Sequence, residues 1–161
     1  YLEFSLAPLA TLSASDLETL HLEFMEQVIA PMRLALADRL VEKHRADGDR
    51  LLVITSTNRF IVEPICQSLG LSETLATEPE MVDGRYTGRI VGIPTYQEGK
   101  VKCLDLWLRE NNETLVGSYF YSDSINDMPL LLKVTHPVAV DPDPQLRAEA
   151  VNRGWDSISL R

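Results

Sequence analysis

From residue 51 onward, short apolar runs of strand length alternate with longer segments of helical periodicity. The first run, residues 51–54, is continuously apolar, which is typical of a strand buried on both faces of a parallel sheet. Later runs end at Tyr121 and at Val140, and a last short run covers residues 157–160. This alternation predicts an α/β fold with a doubly wound, mostly parallel sheet.

Helical patterns precede and separate these strands. Ser15 and Asp16 form a capping signal for a first helix, Pro31 interrupts the pattern, and a second helix is predicted from residue 32 to 46. Further helices are predicted over residues 59–69, 98–110, 127–132 and 144–153. Pro64 lies inside the first of these four, which predicts a kink or a late helix start there.

Residues 75–93 have a different pattern. Asp83 and Gly84 separate two extended segments and form a strong turn signal between strands. We predict a β-hairpin inserted into the α/β domain.

Size, charge and cysteine content narrow the class of protein. With 161 residues, of which 45% are hydrophobic, the chain can bury one core. A net charge of −9 without a basic cluster argues against nucleic acid as a partner, and the absence of a long apolar run argues against a membrane span.

Cys66 and Cys103 lack a C-x-x-C spacing, which predicts reduced thiols and a cytoplasmic location. This composition and net charge are compatible with a small phosphorylated ligand. They do not determine the oligomeric state.

Two carboxylates follow the aromatic run that ends at Tyr121. Asp123 comes just beyond the predicted strand, and Asp127 lies four residues later. Two carboxylates at the rim of a sheet suit a hard cation such as Mg²⁺. The alternative is structural: Asp123 and Ser124 cap the next helix, while Asp127 interacts with its dipole.

Two further positions could handle an anion. Thr55 ends the first strand, where its hydroxyl and the following backbone N–H groups could hold a phosphate oxygen; helix capping by Thr55, Ser56 or Asn58 is the alternative. Lys100 lies near a predicted helix start, where a cation opposes the helix dipole and so invites a functional explanation. An ordinary surface position for Lys100 is the alternative, and Lys102 competes for the role.

Taken in order, Thr55, Lys100 and the segment of residues 121–131 resemble motifs two to four of the haloacid dehalogenase superfamily. The specific likeness is to its phosphoserine-phosphatase-like subfamily, known as subfamily IB. The resemblance covers about residues 32–161, which would form a Rossmann-like α/β core. Residues 1–31 would then be part of a small helical cap.

The resemblance implies a Mg²⁺-dependent phosphomonoesterase that works through an aspartyl-phosphate intermediate. Thr55, Ser56, Lys100 and Asn126 would contact phosphate, and Lys100 would also offset charge around the nucleophile. Asp123 would be a catalytic Mg²⁺ ligand, and Asp127 would support the metal. Phosphoserine, histidinol phosphate and other small metabolite phosphates are all compatible substrates.

One departure from the family pattern is the first motif, D-x-D-x-T/S, which supplies the nucleophile and does not occur in this sequence. The segment 47–49 precedes its strand, and the segment 141–143 begins a proline-rich turn. We therefore expect the nucleophile and a central strand to lie upstream of Tyr1, and the chain alone to be inactive. The alternative is a non-catalytic phosphate- and Mg²⁺-binding or regulatory α/β domain.

Overall fold

The predicted strands form, and they are arranged as two three-stranded sheets. The computed structural model describes residues 2–161, with side chains from residue 6 onward. One compact unit comprises the chain up to Arg33 together with Asp38–Thr95, and a second comprises Leu34–Ala37 and Tyr96–Arg161. The boundaries of these units differ from the predicted division into a cap over residues 1–31 and a core over residues 32–161. That division stays a prediction. Residue 1 of the predicted cap lies outside the described residues.

The first sheet contains β1 (Val53–Asn58), β2 (Thr74–Val82) and β3 (Arg85–Val91). β1 and β2 are parallel, whereas β2 and β3 form an antiparallel hairpin. Asp83 and Gly84 both have positive φ angles, of 50° and 75°, as a tight hairpin turn requires. The hairpin predicted from these two residues is therefore confirmed.

The helices around this sheet are α1 (Leu2–Thr11), α2 (Ala14–Phe24), a π-helical turn (Met25–Ile29), α3 (Ala30–Met32), α4 (Ala35–Ala46) and α5 (Arg59–Ser68). The cap of α2 is Ser13, because its hydroxyl accepts a hydrogen bond from the Asp16 N–H while the Asp16 carboxylate accepts from the Ser13 backbone. The prediction that Ser15 starts this helix was wrong by two residues.

Helix α5 begins at Arg59 and continues through Pro64. Its N-cap is Asn58, whose side-chain oxygen accepts a hydrogen bond from the Ile61 N–H at 3.2 Å. The late helix start predicted from Pro64 was therefore wrong.

The second unit contains α6 (Glu98–Asn111), β4 (Tyr119–Ser122), a 3₁₀ turn (Ile125–Asp127), α7 (Met128–Leu131), β5 (His136–Val140), α8 (Pro144–Arg153) and β6 (Asp156–Ile158). β4, β5 and β6 are parallel, with Tyr121 opposite Val138 and Val138 opposite Asp156. The last strand begins one residue earlier than predicted and ends two residues earlier. Three of the four strand pairs are parallel, which confirms the predicted α/β class.

Each unit has its own apolar core. In the first, Leu6, Leu9 and Leu17 pack against Phe60, Tyr86 and Ile90, and a second cluster surrounds Cys66. In the second unit, the core consists of Leu131, Ala139, Leu146 and Ala150. Cys66 is buried and Cys103 is partly buried, and neither forms a disulfide in the structure. Within residues 2–161, no helix is long and apolar enough to cross a membrane.

Strands β1 and β4 each have one partner among the described strands, β2 and β5 respectively. Val53 and Ile54 in β1 are only half-buried, so the prediction that this strand is buried on both faces was wrong. An apolar edge strand of this kind leaves backbone N–H and C=O groups available for a further strand.

The core of the second unit can be tested at α8. Leu146 is completely buried, so Leu146→Ala should lower the free energy of unfolding by about 3 kcal/mol through lost packing and the cavity left behind. Val151 on the same helix is 77% exposed, so Val151→Ala should change stability by less than about 0.5 kcal/mol. Urea denaturation measures both, and equal losses would contradict this packing.

Candidate functional site

An ion pair buried in the second unit lies beside the carboxyl end of β4. The Lys100 Nζ is 2.6 Å from Asp127 Oδ1, and the two side chains are only 10% and 11% exposed. The other carboxylate oxygen of Asp127 accepts a hydrogen bond from the Ser122 hydroxyl at 2.7 Å. The structure thus brings together two of the predicted site residues, Lys100 and Asp127, and adds Ser122.

Lys100 lies in the first turn of helix α6. Its side chain is buried, as are those of Val101 and Leu104 on the same helix. Lys102 is exposed. Of the two lysines, Lys100 is therefore the buried cation.

Asp123 differs from Asp127 in its surroundings. Its side chain is exposed and makes no hydrogen bond or ion pair with the residues that the structure describes. Its backbone carbonyl is fixed, because it accepts a hydrogen bond from the Asp143 N–H at 2.8 Å. The carboxylate is thus held at the strand end by the backbone and is left available to a ligand.

Helix capping explains only part of this turn. Ser124 caps the 3₁₀ turn, since its hydroxyl accepts from the Asn126 N–H and its carbonyl accepts from the Asp127 N–H. Asp123 does not take part in the cap, and the Asp127 carboxylate is directed to Lys100 and Ser122. The structural alternative therefore holds for Ser124 and is wrong for a side-chain cap by Asp123, while the position of Asp127 in the first turn stays compatible with an interaction with the helix dipole.

Asn126 is exposed and is held by the residues that precede α6. Its side-chain oxygen accepts from the Tyr96 hydroxyl and from the Gln97 amide, both at 3.3 Å. The Gln97 amide also donates to the Tyr96 hydroxyl at 3.2 Å. Gln97 has a φ of 46°, a strained value for a residue other than glycine. These contacts leave the Asn126 NH₂ group, a donor, directed away from the triangle.

Asp143 is a residue of this site that sequence reasoning missed. Its carboxylate accepts from the Ile125 N–H at 2.7 Å and from the Leu146 N–H at 2.8 Å, so it joins the turn after β4 to the start of α8. The hydrogen bonds from Leu146 and Ile125 lower the pKa of Asp143. The only signal in the sequence was an Asp before Pro144, which is a helix-cap pattern and says nothing of Ile125.

Thr55 and Ser56 belong to β1 in the first unit. The Thr55 hydroxyl accepts from the Thr57 N–H at 3.1 Å, and the Ser56 carbonyl accepts from the buried Thr77 hydroxyl at 3.2 Å. Because Asn58 caps α5, the alternative role of Thr55 and Ser56 as helix caps does not apply. Both residues instead lie inside β1. Thr55 is four residues and Ser56 three residues before Arg59, where α5 begins.

The residues present offer an incomplete set of ligands for Mg²⁺. In the described part of the chain, no group of three or more carboxylate, His or Cys side chains could hold a metal ion. Asp123 is one free carboxylate, while each oxygen of Asp127 already accepts a hydrogen bond. Mg²⁺ takes six oxygen ligands, of which several are usually water, so Asp123 could be one of its ligands beside water.

The chain belongs to the haloacid dehalogenase-like hydrolase family, whose model matches residues 2–132. It is 45% identical to a histidinol-phosphatase of Neisseria meningitidis, over all of this chain and 74% of that protein. A phosphoserine phosphatase of Mycobacterium tuberculosis is 34% identical over 92% of this chain, which spans 48% of that protein's length. The predicted family is therefore confirmed, and both of these relatives are named as phosphatases.

Solved structures agree with the fold. A protein of unknown function from Bordetella pertussis superposes with a TM-score of 0.96 at 45% identity, over 99% of this chain and 73% of that one. A phosphoserine phosphatase containing an analogue of the phospho-aspartyl intermediate gives a TM-score of 0.61 at 20% identity, over 78% of this chain and 57% of that one. At that identity, the second comparison supports the fold alone.

The buried pair can be tested by removing one charge. Asp127→Asn should lower the free energy of unfolding by about 3 kcal/mol, because it leaves Lys100 buried without its counter-charge. The Lys133–Asp105 pair is more than a third exposed on each side, so Asp105→Asn should cost less than about 1 kcal/mol. Denaturant titrations of both variants measure this difference, and equal costs would contradict a desolvated pair.

The Asp143 contacts predict a pH dependence. The pKa of this carboxyl is lowered in the folded protein, so its contribution to stability is present above the unfolded pKa of about 3.9 and is lost as pH falls through the lower folded value. Asp143→Asn should therefore be less stable than wild type at pH 7, with the gap narrowing below about pH 4. Thermal melts across pH test this, with the exposed Asp156→Asn as control.

Proposed function

We propose that the complete protein is a Mg²⁺-dependent phosphomonoesterase that acts on a small phosphorylated metabolite. The observation that carries this proposal is the arrangement at the end of β4, where Asp123 is exposed and free beside the buried Lys100–Asp127 pair. Phosphoryl transfer depends mainly on positioning and on neutralising charge, and this arrangement supplies a fixed cation and a free anionic ligand.

Lys100 is the phosphate-binding cation in this proposal. Asp127 and Ser122 hold its ammonium group in place through a short chain of contacts, so little freedom is lost when a phosphoryl oxygen approaches. Asn126 contributes its NH₂ group as a donor, since Tyr96 and Gln97 occupy its oxygen. Thr55 and Ser56 contribute hydroxyl and backbone donors from β1.

Asp123 contributes one ligand to Mg²⁺, and Asp127 supports the site without binding the metal directly. The remaining ligands come from water, from the substrate and from a segment upstream of residue 1. When bound, Mg²⁺ supplies positive charge to the phosphoryl oxygens.

The nucleophile is an aspartate on that upstream segment. Its carboxylate oxygen forms a bond to phosphorus while the ester P–O bond breaks, and the alcohol leaves with a proton from a second acidic group. Water then attacks the phosphorus of the aspartyl phosphate, releasing inorganic phosphate and the free carboxylate. The chain of residues 1–161 alone is inactive in this account.

The names of two relatives support a choice of substrate class. The Neisseria protein, which matches this chain along its whole length, is named for histidinol phosphate, and the Mycobacterium relative is named for phosphoserine. Both substrates are phosphate monoesters of small amino-bearing alcohols. We take L-histidinol phosphate as the first substrate to test, and we place the reaction in the cytoplasm because neither cysteine forms a disulfide.

Phosphate release by the complete encoded protein tests the proposal. Wild type with Mg²⁺ should release phosphate from L-histidinol phosphate, and Asp123→Asn should lower kcat by about a hundredfold or more, because a metal ligand is lost. Asp156→Asn, at an exposed position on β6, should leave the rate unchanged. Full activity in Asp123→Asn, or without any divalent metal, would refute the site assignment.

A second outcome concerns the upstream segment. The encoded sequence before residue 1 should contain D-x-D-x-T/S directly after an apolar run, and its first aspartate should be essential for turnover. If that sequence lacks the motif, the non-catalytic alternative replaces the enzymatic one.

A further inference from the structure

A four-residue turn leads into α6, and its second residue has an unusual backbone. The Gly99 N–H donates to the Tyr96 carbonyl at 2.8 Å, which closes the turn. Gln97, the second residue, has a φ of 46° and a ψ of −119°. These angles are close to those of the first central position of a type II′ turn, about 60° and −120°, where glycine is preferred because it has no Cβ. The glutamine backbone is therefore strained at this position.

The Gln97 side chain makes hydrogen bonds with two other exposed residues. Its amide nitrogen donates to Asn126 Oδ1 at 3.3 Å and to the Tyr96 hydroxyl at 3.2 Å. The Tyr96 hydroxyl donates in turn to Asn126 Oδ1 at 3.3 Å. A glycine at position 97 would relieve the strain and lose two of these three hydrogen bonds. The strain thus occurs at a residue whose side chain contacts Asn126, which the proposed function assigns to phosphate.

Stability alone does not explain why a glutamine occupies this position. Tyr96, Gln97 and Asn126 are all exposed, so water competes for each of their hydrogen bonds and the net gain is small. The buried Lys100–Asp127 pair already joins the start of α6 to the turn after β4. A strained backbone that is kept for an exposed contact points to a role in the site.

The contacts with Tyr96 and Gln97 determine the orientation of the Asn126 amide. The C=O and NH₂ ends of an amide can exchange by a rotation of about 180°. With the oxygen facing the Gln97 NH₂ and the Tyr96 hydroxyl, the Asn126 NH₂ group faces the other way. In the rotated state two NH₂ groups would face each other, and neither can accept a hydrogen bond. Asn126 is thus left with a free donor, which is the group that a phosphoryl oxygen requires.

We propose that Gln97 is a positioning residue, which together with Tyr96 keeps the Asn126 NH₂ group available to a phosphoryl oxygen. The inference rests on the proposed function, in which Asn126 contacts phosphate. Gln97 also fixes the start of α6, because its backbone carbonyl accepts a hydrogen bond from the Lys100 N–H at 3.0 Å. Gln97 therefore contacts two residues that are proposed to bind phosphate, and its side chain is needed only for the contact with Asn126.

Two substitutions of Gln97 separate the strain from the amide. Gln97→Gly removes both, whereas Gln97→Met keeps the strain and the length of the side chain and removes the amide alone. With the complete encoded protein and L-histidinol phosphate, both should lower kcat/KM at least about fivefold, because the Asn126 donor is no longer fixed. The melting temperature should be higher in Gln97→Gly than in Gln97→Met, since glycine adopts a φ of 46° without strain.

Asn112 provides a matched control at the other end of α6. It is exposed and also has a positive φ, of 53°. The 14 residues of α6 separate it from Gln97 by roughly 20 Å. Asn112→Gly should therefore leave kcat/KM unchanged, although it makes the same kind of backbone change.

A double-mutant cycle tests whether Gln97 acts through Asn126. In an Asn126→Ala background, Gln97→Met should change kcat/KM by less than about 1.5-fold, because the amide that Gln97 positions is absent. A further loss of about fivefold in that background would overturn the proposal. Full activity in both Gln97→Gly and Gln97→Met would also overturn it.

Binding of inorganic phosphate separates this inference from the proposed function. In calorimetry with Mg²⁺, phosphate should bind Gln97→Met at least about fivefold more weakly than wild type. If wild type hydrolyses the ester and both Gln97 variants bind phosphate and turn over like wild type, the inference fails and the phosphatase stands. If wild type hydrolyses no phosphate monoester but its phosphate binding depends on Gln97, the proposed function fails and the positioning of Asn126 stands. A wild-type protein that neither binds phosphate nor hydrolyses an ester would overturn both.

Discussion

The Lys100–Asp127 ion pair is the interaction on which the second unit's functional end depends. Both side chains are buried, so each charge would be costly without the other. Their contact ties the start of α6 to the turn after β4, and Ser122 satisfies the second oxygen of the carboxylate. The pair therefore fixes a backbone turn and a buried cation at the same point, and Asp123 is left free at the surface of that turn.

The same turn is supported from the opposite direction by α8. Asp143 caps this helix and at the same time accepts the Ile125 N–H, while its own N–H binds the Asp123 carbonyl. A loop held through its backbone can present one carboxylate in a defined position, which is what a metal ligand requires. Gln97, whose φ is 46°, donates its side-chain amide to Asn126 in the same turn.

β1 and β4 are edge strands of their sheets among the strands that the structure describes. Thr55 and Ser56 lie within β1, and Asp123, Asn126 and Asp127 follow β4; each of these strands has a single partner among the described ones. Val53 and Ile54 are half-buried because β1 is an edge strand, and an edge strand is covered on fewer sides than a central one.

The sequence by itself determined the α/β class, the hairpin turn and the family, because strand and helix periods, the Asp83–Gly84 pair and motif spacing are local properties of the chain. It also indicated Lys100, Asp123 and Asp127. Only the tertiary structure decided that Lys100 rather than Lys102 is buried, and that Asp143 supports the turn. Those outcomes depend on contacts across 18 or more residues, which local patterns do not encode: Ile125 to Asp143 spans 18 residues, and Lys100 to Asp127 spans a helix and a strand.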